Sequence, residues 1–97
     1  MKLGVCKLKL RLPENQSLKG KRRVLKSIIS RVRSNYNVAI AEVDDQDLWQ
    51  LATLGIACVS NSDQQVNSVL SKVVDFISRS RFDVEMLDCE IEIMPFT

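Results

Sequence analysis

The chain begins and ends with segments in which apolar and charged side chains alternate one by one. In residues 2–12 the apolar set is Cys6, Leu8, Leu10 and Leu12, and the charged set is Lys7, Lys9 and Arg11. In residues 84–94 the apolar set is Leu87, Cys89, Ile91 and Ile93, and the charged set is Asp88, Glu90 and Glu92. Because successive side chains of a strand point to opposite faces, each segment predicts a β-strand with one buried face and one wet face.

Two amphipathic helices and two further strands are predicted between these segments. Residues 18–35 follow the N-cap candidate Ser17 and carry apolar residues at helical spacing. The second helix follows Ser62, which forms a capping-box pattern with Gln65. Residues 38–43 and 51–60 are short apolar runs and predict a hairpin with a longer connection.

The predicted order of elements is βαββαβ. Two helices with one apolar stripe each, over strands with one apolar face each, form a two-layer α+β sandwich of the ferredoxin-like type. Its antiparallel sheet has the strand order 4-1-3-2, with both helices on one face. With 97 residues and no linker or repeat, residues 1–97 are predicted to form one domain.

The composition argues against several kinds of function. The chain has no histidine, which removes the commonest general base and most zinc sites. Its three cysteines are far apart, without a CxxC pair, and are expected to be small core residues. No catalytic residue, metal site, cofactor motif or small-molecule substrate is indicated, so we expect a non-enzymatic protein. No signal peptide or membrane span is visible, which favours a cytoplasmic location.

Charge is distributed very unevenly along the chain. Residues 1–33 hold eleven bases and one acid, a net charge of +10, whereas residues 34–97 hold three bases and eleven acids, a net charge of −8. Part of this asymmetry is expected to cancel in a ladder of opposite charges between the first and last strands. The first helix keeps a basic arc that has no acid nearby in sequence, formed by Lys19, Arg22, Arg23, Lys26 and Arg33. This arc is either a solvated helix face or a binding surface for a polyanion. Lys21 lies toward the apolar side, where its stem is expected to snorkel.

The face of the sheet away from the helices offers a second candidate surface. Its predicted small-residue patch consists of Ala39, Ala41, Gly55 and Ala57 beside Leu3 and Val5. A homodimer joined sheet to sheet would bury this patch, although scattered exposed apolar residues are also normal. The two central strands carry no aromatic residue, which excludes base stacking on the sheet and leaves RNA backbone and shape as the recognisable features.

The connection after the second strand reads EVDDQDLWQ. Its carboxylates Glu42, Asp44, Asp45 and Asp47 could hold a divalent cation, but the EF-hand spacing is missing and an acidic turn needs no metal. Trp49 is the only tryptophan. It either caps the open end of the core, which we favour, or anchors a protein or RNA partner.

Three stretches of the chain resemble a bacterial family of proteins of unknown function that is often called YlxP-like. These are LPENQSLKGKRRVLKSIISRVR, VAIAEVDDQDLWQLATLGIACVSN and MLDCEIEI. The resemblance implies a ferredoxin-like fold, and the family's genes are often found among those for translation initiation and ribosome maturation. Our leading hypothesis is docking on structured RNA, such as rRNA in a ribosomal subunit, through the basic first helix. The alternative is a homodimeric interaction or regulatory module that uses the open sheet face and Trp49.

Overall fold

The computed structural model describes residues 1–80 and 83–97, and it has the element order predicted from the sequence. The strands are β1 (Lys2–Arg11), β2 (Ala39–Asp44), β3 (Leu51–Ser60) and β4 (Glu85–Pro95). The helices are α1 (Leu18–Asn35) and α2 (Asp63–Arg79). The bounds of β2 and β4 lie one residue later than the sequence pattern indicated, which is within the usual uncertainty of element ends.

The four strands form one antiparallel sheet in the order β2-β3-β1-β4. This is the predicted ferredoxin-like topology: both central strands are antiparallel neighbours, and the first and last strands pair along their whole length. Strands β2 and β4 are therefore the sheet edges. Both helices pack on one face, and the other face is covered by no element of the described residues.

The core lies between the helices and the even-numbered side chains of β1. Leu8 and Leu10 on β1, Ile28 on α1 and Leu70 on α2 are fully buried there. Helix α2 packs tightly against β1 at Gly4, where an added Cβ would overlap with Cγ1 of Val66. The close contact between these two elements thus requires a residue without a side chain at that position.

The opposite charges of β1 and β4 share the open face as expected. The register places Lys7 opposite Glu90 and Lys9 opposite Asp88. The ion pairs that close within 4 Å are different ones, however: Lys9 meets Asp45 at 3.7 Å, and Arg11 meets Glu85 at 3.7 Å. The charge ladder is thus a column of opposite charges on the open face of the sheet, and Asp45 of the β2–β3 connection belongs to it.

One residue of the last strand does not follow the predicted alternation. Leu87 was expected on the core face, but it is 49% exposed. A register shift lies between Lys9 and Leu10, whose partners are Asp88 and Met86, and it leaves Leu87 without a partner on β1. Such a bulge interrupts the two-residue period of a strand, and simple alternation cannot place the bulged residue.

Within the described ranges 1–80 and 83–97, neither helix has the length and apolarity needed to cross a bilayer.

Candidate functional site

The basic arc of α1 forms an exposed surface on the helical layer. Lys19, Arg22, Arg23 and Lys26 are all exposed. Among the described residues, none of these four side chains has a carboxylate within 4.0 Å, and the first turn of α1 contains no acid. We call these four residues the basic face. It presents uncompensated positive charge to solvent.

Arg33 lies apart from the basic face. From Lys19 to Arg33 the helix rises by about 21 Å, at about 1.5 Å per residue. The guanidinium of Arg33 donates a hydrogen bond from Nη2 to the backbone carbonyl of Ile40, at 3.1 Å. Arg33 therefore links the end of α1 to the edge strand β2, while its other donors remain available for an anion.

A groove of about 710 Å³ runs between α1 and the edge of β2. Its helical wall carries Arg22, Lys26 and Arg33, and the apolar side chains of Leu25, Ile29 and Ile40 also line it. We call it the α1–β2 groove. The sequence identified its cations but not the groove itself, because the position of β2 beside α1 follows from the tertiary packing.

Lys21 departs most clearly from the sequence prediction. Its side chain is 1% exposed, so it does not snorkel to solvent. Its Nζ lies 2.9 Å from Oε2 of Glu42 and donates to the backbone carbonyls of Asp45, Gln46 and Leu51 at 2.7, 3.3 and 3.1 Å. Four oxygens thus surround one buried ammonium, which satisfies its charge inside the protein.

This contact changes the interpretation of the acidic connection. Glu42, a candidate metal ligand, faces the helices and pairs with Lys21. Asp45 accepts a hydrogen bond from Oγ1 of Thr53 at 2.7 Å and lies 3.7 Å from Nζ of Lys9. Across the described parts of the chain, no three acidic, cysteine or histidine side chains converge as a metal site. Two of the four carboxylates are engaged by the protein's own cations.

The connection that carries Trp49 is held firmly along its backbone. Asp45 takes a left-handed conformation, with φ of 61°, and its carbonyl accepts from the amide of Leu48 at 3.0 Å. The side-chain amide of Asn15 donates to the carbonyl of Trp49, and the amide of Leu12 donates to the carbonyl of Gln50 at 2.8 Å. The stretches LPENQSLKGK and EVDDQDLWQ, which lie apart in sequence, therefore meet in space.

Trp49 does not cap the core, contrary to the interpretation that we favoured. Its side chain is 53% exposed, and the adjacent Leu48 is 45% exposed. Leu12 is buried in the core, whereas Trp49 lines a shallow surface pocket together with Arg11 and Leu51. Trp49 is thus presented at the surface by a braced backbone.

The small-residue patch lies together on the open face. The register pairs Ala39 with Ala57 and Ala41 with Gly55, and it continues across the sheet from Ala57 to Val5. Val43 covers part of the patch, because an added Cβ on Gly55 would lie 2.8 Å from its Cγ1. At the end of the face, Val59 is 60% exposed and Met94 is 36% exposed.

Two of the three cysteines, Cys6 and Cys58, are in surroundings that disfavour a nucleophilic role. Cys6 and Cys58 are buried, and the sulfurs of Cys6 and Cys89 lie 3.8 Å apart on neighbouring strands. Burial, together with the proximity of Cys89, raises the pKa of the Cys6 thiol to about 12. Burial also raises the pKa of Cys58. Raised values disfavour the thiolate, which is the nucleophilic form.

Comparison with known proteins agrees with the resemblance noted in the sequence. The chain is 49% identical over 61 residues to the "Uncharacterized protein YlxP" of Bacillus subtilis (strain 168). That alignment covers 63% of this chain and 66% of the relative's length. The family model described as "Protein of unknown function (DUF503)" matches residues 3–91. Because this match extends over most of the domain, the chain belongs to the DUF503 family.

Proposed function

We propose that this domain is a non-enzymatic module that docks on structured RNA, with the phosphate backbone of a ribosomal subunit as the target, through the basic face of α1. The observation that carries the proposal is that four exposed cations on one helix face have no acidic partner in the part of the chain that the structure describes. Several other cations do have a carboxylate partner: Lys21 pairs with Glu42 inside the protein, and Lys9 pairs with Asp45 on the sheet.

Like charges on one helix face repel one another, and this repulsion opposes folding. A polyanion relieves it on binding, and the release of condensed counterions then favours association. Lys and Arg contacts of this kind go to phosphate and are independent of sequence. The open sheet face has no aromatic residue on its central strands, which directs recognition to the helical layer.

Co-sedimentation with purified ribosomal subunits at 50 and 200 mM salt tests the proposal. The test variant carries four substitutions to Gln, at Lys19, Arg22, Arg23 and Lys26. A control variant with the same change in net charge carries Gln elsewhere, at Lys2, Lys7, Lys72 and Arg79. Circular dichroism verifies the fold of both.

We expect the wild type and the control variant to co-sediment with the subunits and the basic-face variant to remain in the supernatant. With about four phosphate contacts, a fourfold rise in salt should weaken the binding about 150-fold. Equal retention of the wild type and the basic-face variant would remove the helix from the interface. An absence of binding by the wild type at low salt would contradict RNA docking altogether.

A second candidate function, a homodimeric interaction module, is supported by the uncovered sheet face. Val59 and Met94 stand exposed beside Leu3 at the end of a face that also holds the small-residue patch. An isologous contact between two such faces would remove this apolar surface from water. Trp49, at the opposite end of the sheet, is 53% exposed and would serve a further protein partner.

Sedimentation equilibrium at micromolar concentration distinguishes this candidate. Wild type is expected to dimerise, and Val59→Lys on the open face should shift the mass to that of a monomer. Ser71→Lys, which adds the same charge to the exposed side of α2, should leave the dimer intact. A monomeric wild type would refute the dimer.

A further inference from the structure

The α1–β2 groove combines three features that the basic face alone does not have. It is concave, it brings apolar side chains of both layers together, and it lies along an edge strand. We infer that the groove binds an unpaired segment of RNA, so that a single strand rather than a duplex is the ligand. This inference rests on the proposed function and names its substrate class.

Charge complementarity identifies the occupant as an anion that extends along the groove. Arg22 and Lys26 are one helical turn apart, and Arg33 lies about 16 Å from Arg22 along the axis. All three line the same groove, whereas Glu42, the carboxylate on its strand side, already pairs with Lys21. A row of cations of this length matches successive phosphates of one strand better than a single small anion.

The remaining surface of the groove favours exposed bases. Ile29 is half-buried and lines the groove, and the edges of the buried core residues Leu25 and Ile40 complete its apolar floor. In a duplex the bases are stacked inside and present no face to such a floor, whereas an unpaired strand can place a base against it.

The edge of β2 provides the polar counterpart. The carbonyl of Ile40 faces the groove, because Arg33 reaches it from α1. In an antiparallel strand the N–H and C=O of one residue point to the same side, so the amide of Ile40 faces the groove as well. Unpaired bases carry donors and acceptors on their Watson–Crick edges that such backbone groups can bind.

The inference predicts a specific salt dependence. Three phosphate contacts on a single strand give a slope of about −2 in log affinity against log salt. Affinity for the unpaired probe should therefore fall about 20-fold between 50 and 200 mM salt.

Two-dimensional NMR of the labelled protein tests the inference, with a short oligouridylate as the unpaired probe and a blunt RNA duplex of equal nucleotide number as the comparison. We expect the oligouridylate to bind more tightly and to shift the backbone amides of residues 39–42 on β2 as well as those of α1. Ser30→Glu, which places a carboxylate in the groove, should weaken oligouridylate binding at least tenfold. Ser71→Glu, an equal change on the exposed side of α2, should not.

The outcomes separate the groove from the basic face. Chemical-shift changes confined to residues 19–26, together with equal affinity for the duplex and the oligouridylate, would refute binding in the groove. The proposed docking on RNA would still stand. Co-sedimentation with ribosomal subunits and no binding of oligouridylate would lead to the same conclusion. If the wild type binds neither the subunits nor either probe, the proposed function fails together with the inference.

Discussion

Replacement of the buried lysine, Lys21→Met, should destabilise the domain more than any other single change of charge on α1. The ammonium lies 2.9 Å from a carboxylate oxygen of Glu42, and that oxygen has no other polar partner within residues 1–80 and 83–97. Removal of one member of a buried pair typically costs about 3–5 kcal/mol. Because Glu42 is 20% exposed and water can reach part of it, we expect the lower end of the range, about 3 kcal/mol.

A loss of this size is a large share of the total stability of a small domain, which is about 5–15 kcal/mol. The melting temperature should fall by about 12–24 °C. Urea unfolding followed by circular dichroism measures the change, with Lys19→Met, an exposed position on the same helix, as the control. In the double variant Lys21→Met/Glu42→Leu, stability should partly recover, because no buried carboxylate is left without a counter-charge.

The same substitution should loosen the connection that presents Trp49, since Lys21 binds the carbonyls of Asp45 and Gln46 within it and that of Leu51 at the start of β3. Limited proteolysis should cut within residues 45–51 faster in Lys21→Met than in Lys19→Met. A stability loss below about 1 kcal/mol, equal to that of the control, would refute the reasoning that the pair holds this part of the fold together.

Two glycines and one cysteine give further predictions. Gly4→Ala should lower the free energy of unfolding by about 1–3 kcal/mol, because the new Cβ meets the rigid, buried side chain of Val66. Gly55→Ala should be nearly neutral, because its new Cβ meets only the exposed side chain of Val43, which can rotate away. Urea unfolding measures both variants, and equal losses of stability would contradict the packing argument. Burial raises the pKa of the Cys6 thiol from 9.0 to about 12, so the folded state favours the protonated thiol. The stability that this preference contributes is fully present below pH 9 and is lost as the pH rises toward 12. Wild type should therefore lose up to about 1.4 kcal/mol per pH unit more than Cys6→Ala above pH 9, and parallel pH profiles would show that the thiol is not responsible.

Local patterns were sufficient to predict most of the fold. Alternation in β1 and β4 and the apolar stripes of the helices gave the order of elements, and the predicted helix bounds 18–35 are those of α1. The ends were also encoded locally, since Ser17 and Ser62 accept hydrogen bonds from the amides of Gly20 and Gln65. Patterns of this kind are readable because they depend on neighbours within a few residues.

The candidate site could be predicted only in part. The sequence identified the basic face and the small residues of the open face, because helical and strand periodicity place them there. It contained a signal for the buried pair as well: Lys21 lies in the apolar stripe of α1, and Glu42 lies two residues after the core residue Ile40 on β2. A lysine on one core-facing surface and a glutamate on another together indicate that the two side chains form a pair. Taken singly, however, each resembles a side chain that snorkels to solvent or lies in it.

The element order, the strand order and the excess of positive charge on the first helix could all be predicted from the chain alone, since they follow from local periodicity and from the few topologies that bury two apolar stripes. Which charges remain uncompensated depends on how the folded chain packs, because ion pairing is set by distances between residues that are far apart in sequence. In the folded chain Lys21 forms an ion pair with Glu42, Trp49 lies at the surface, and Arg33 contacts the edge of β2. The groove beside α1 arises in the same way, from the position of an edge strand that no local pattern specifies.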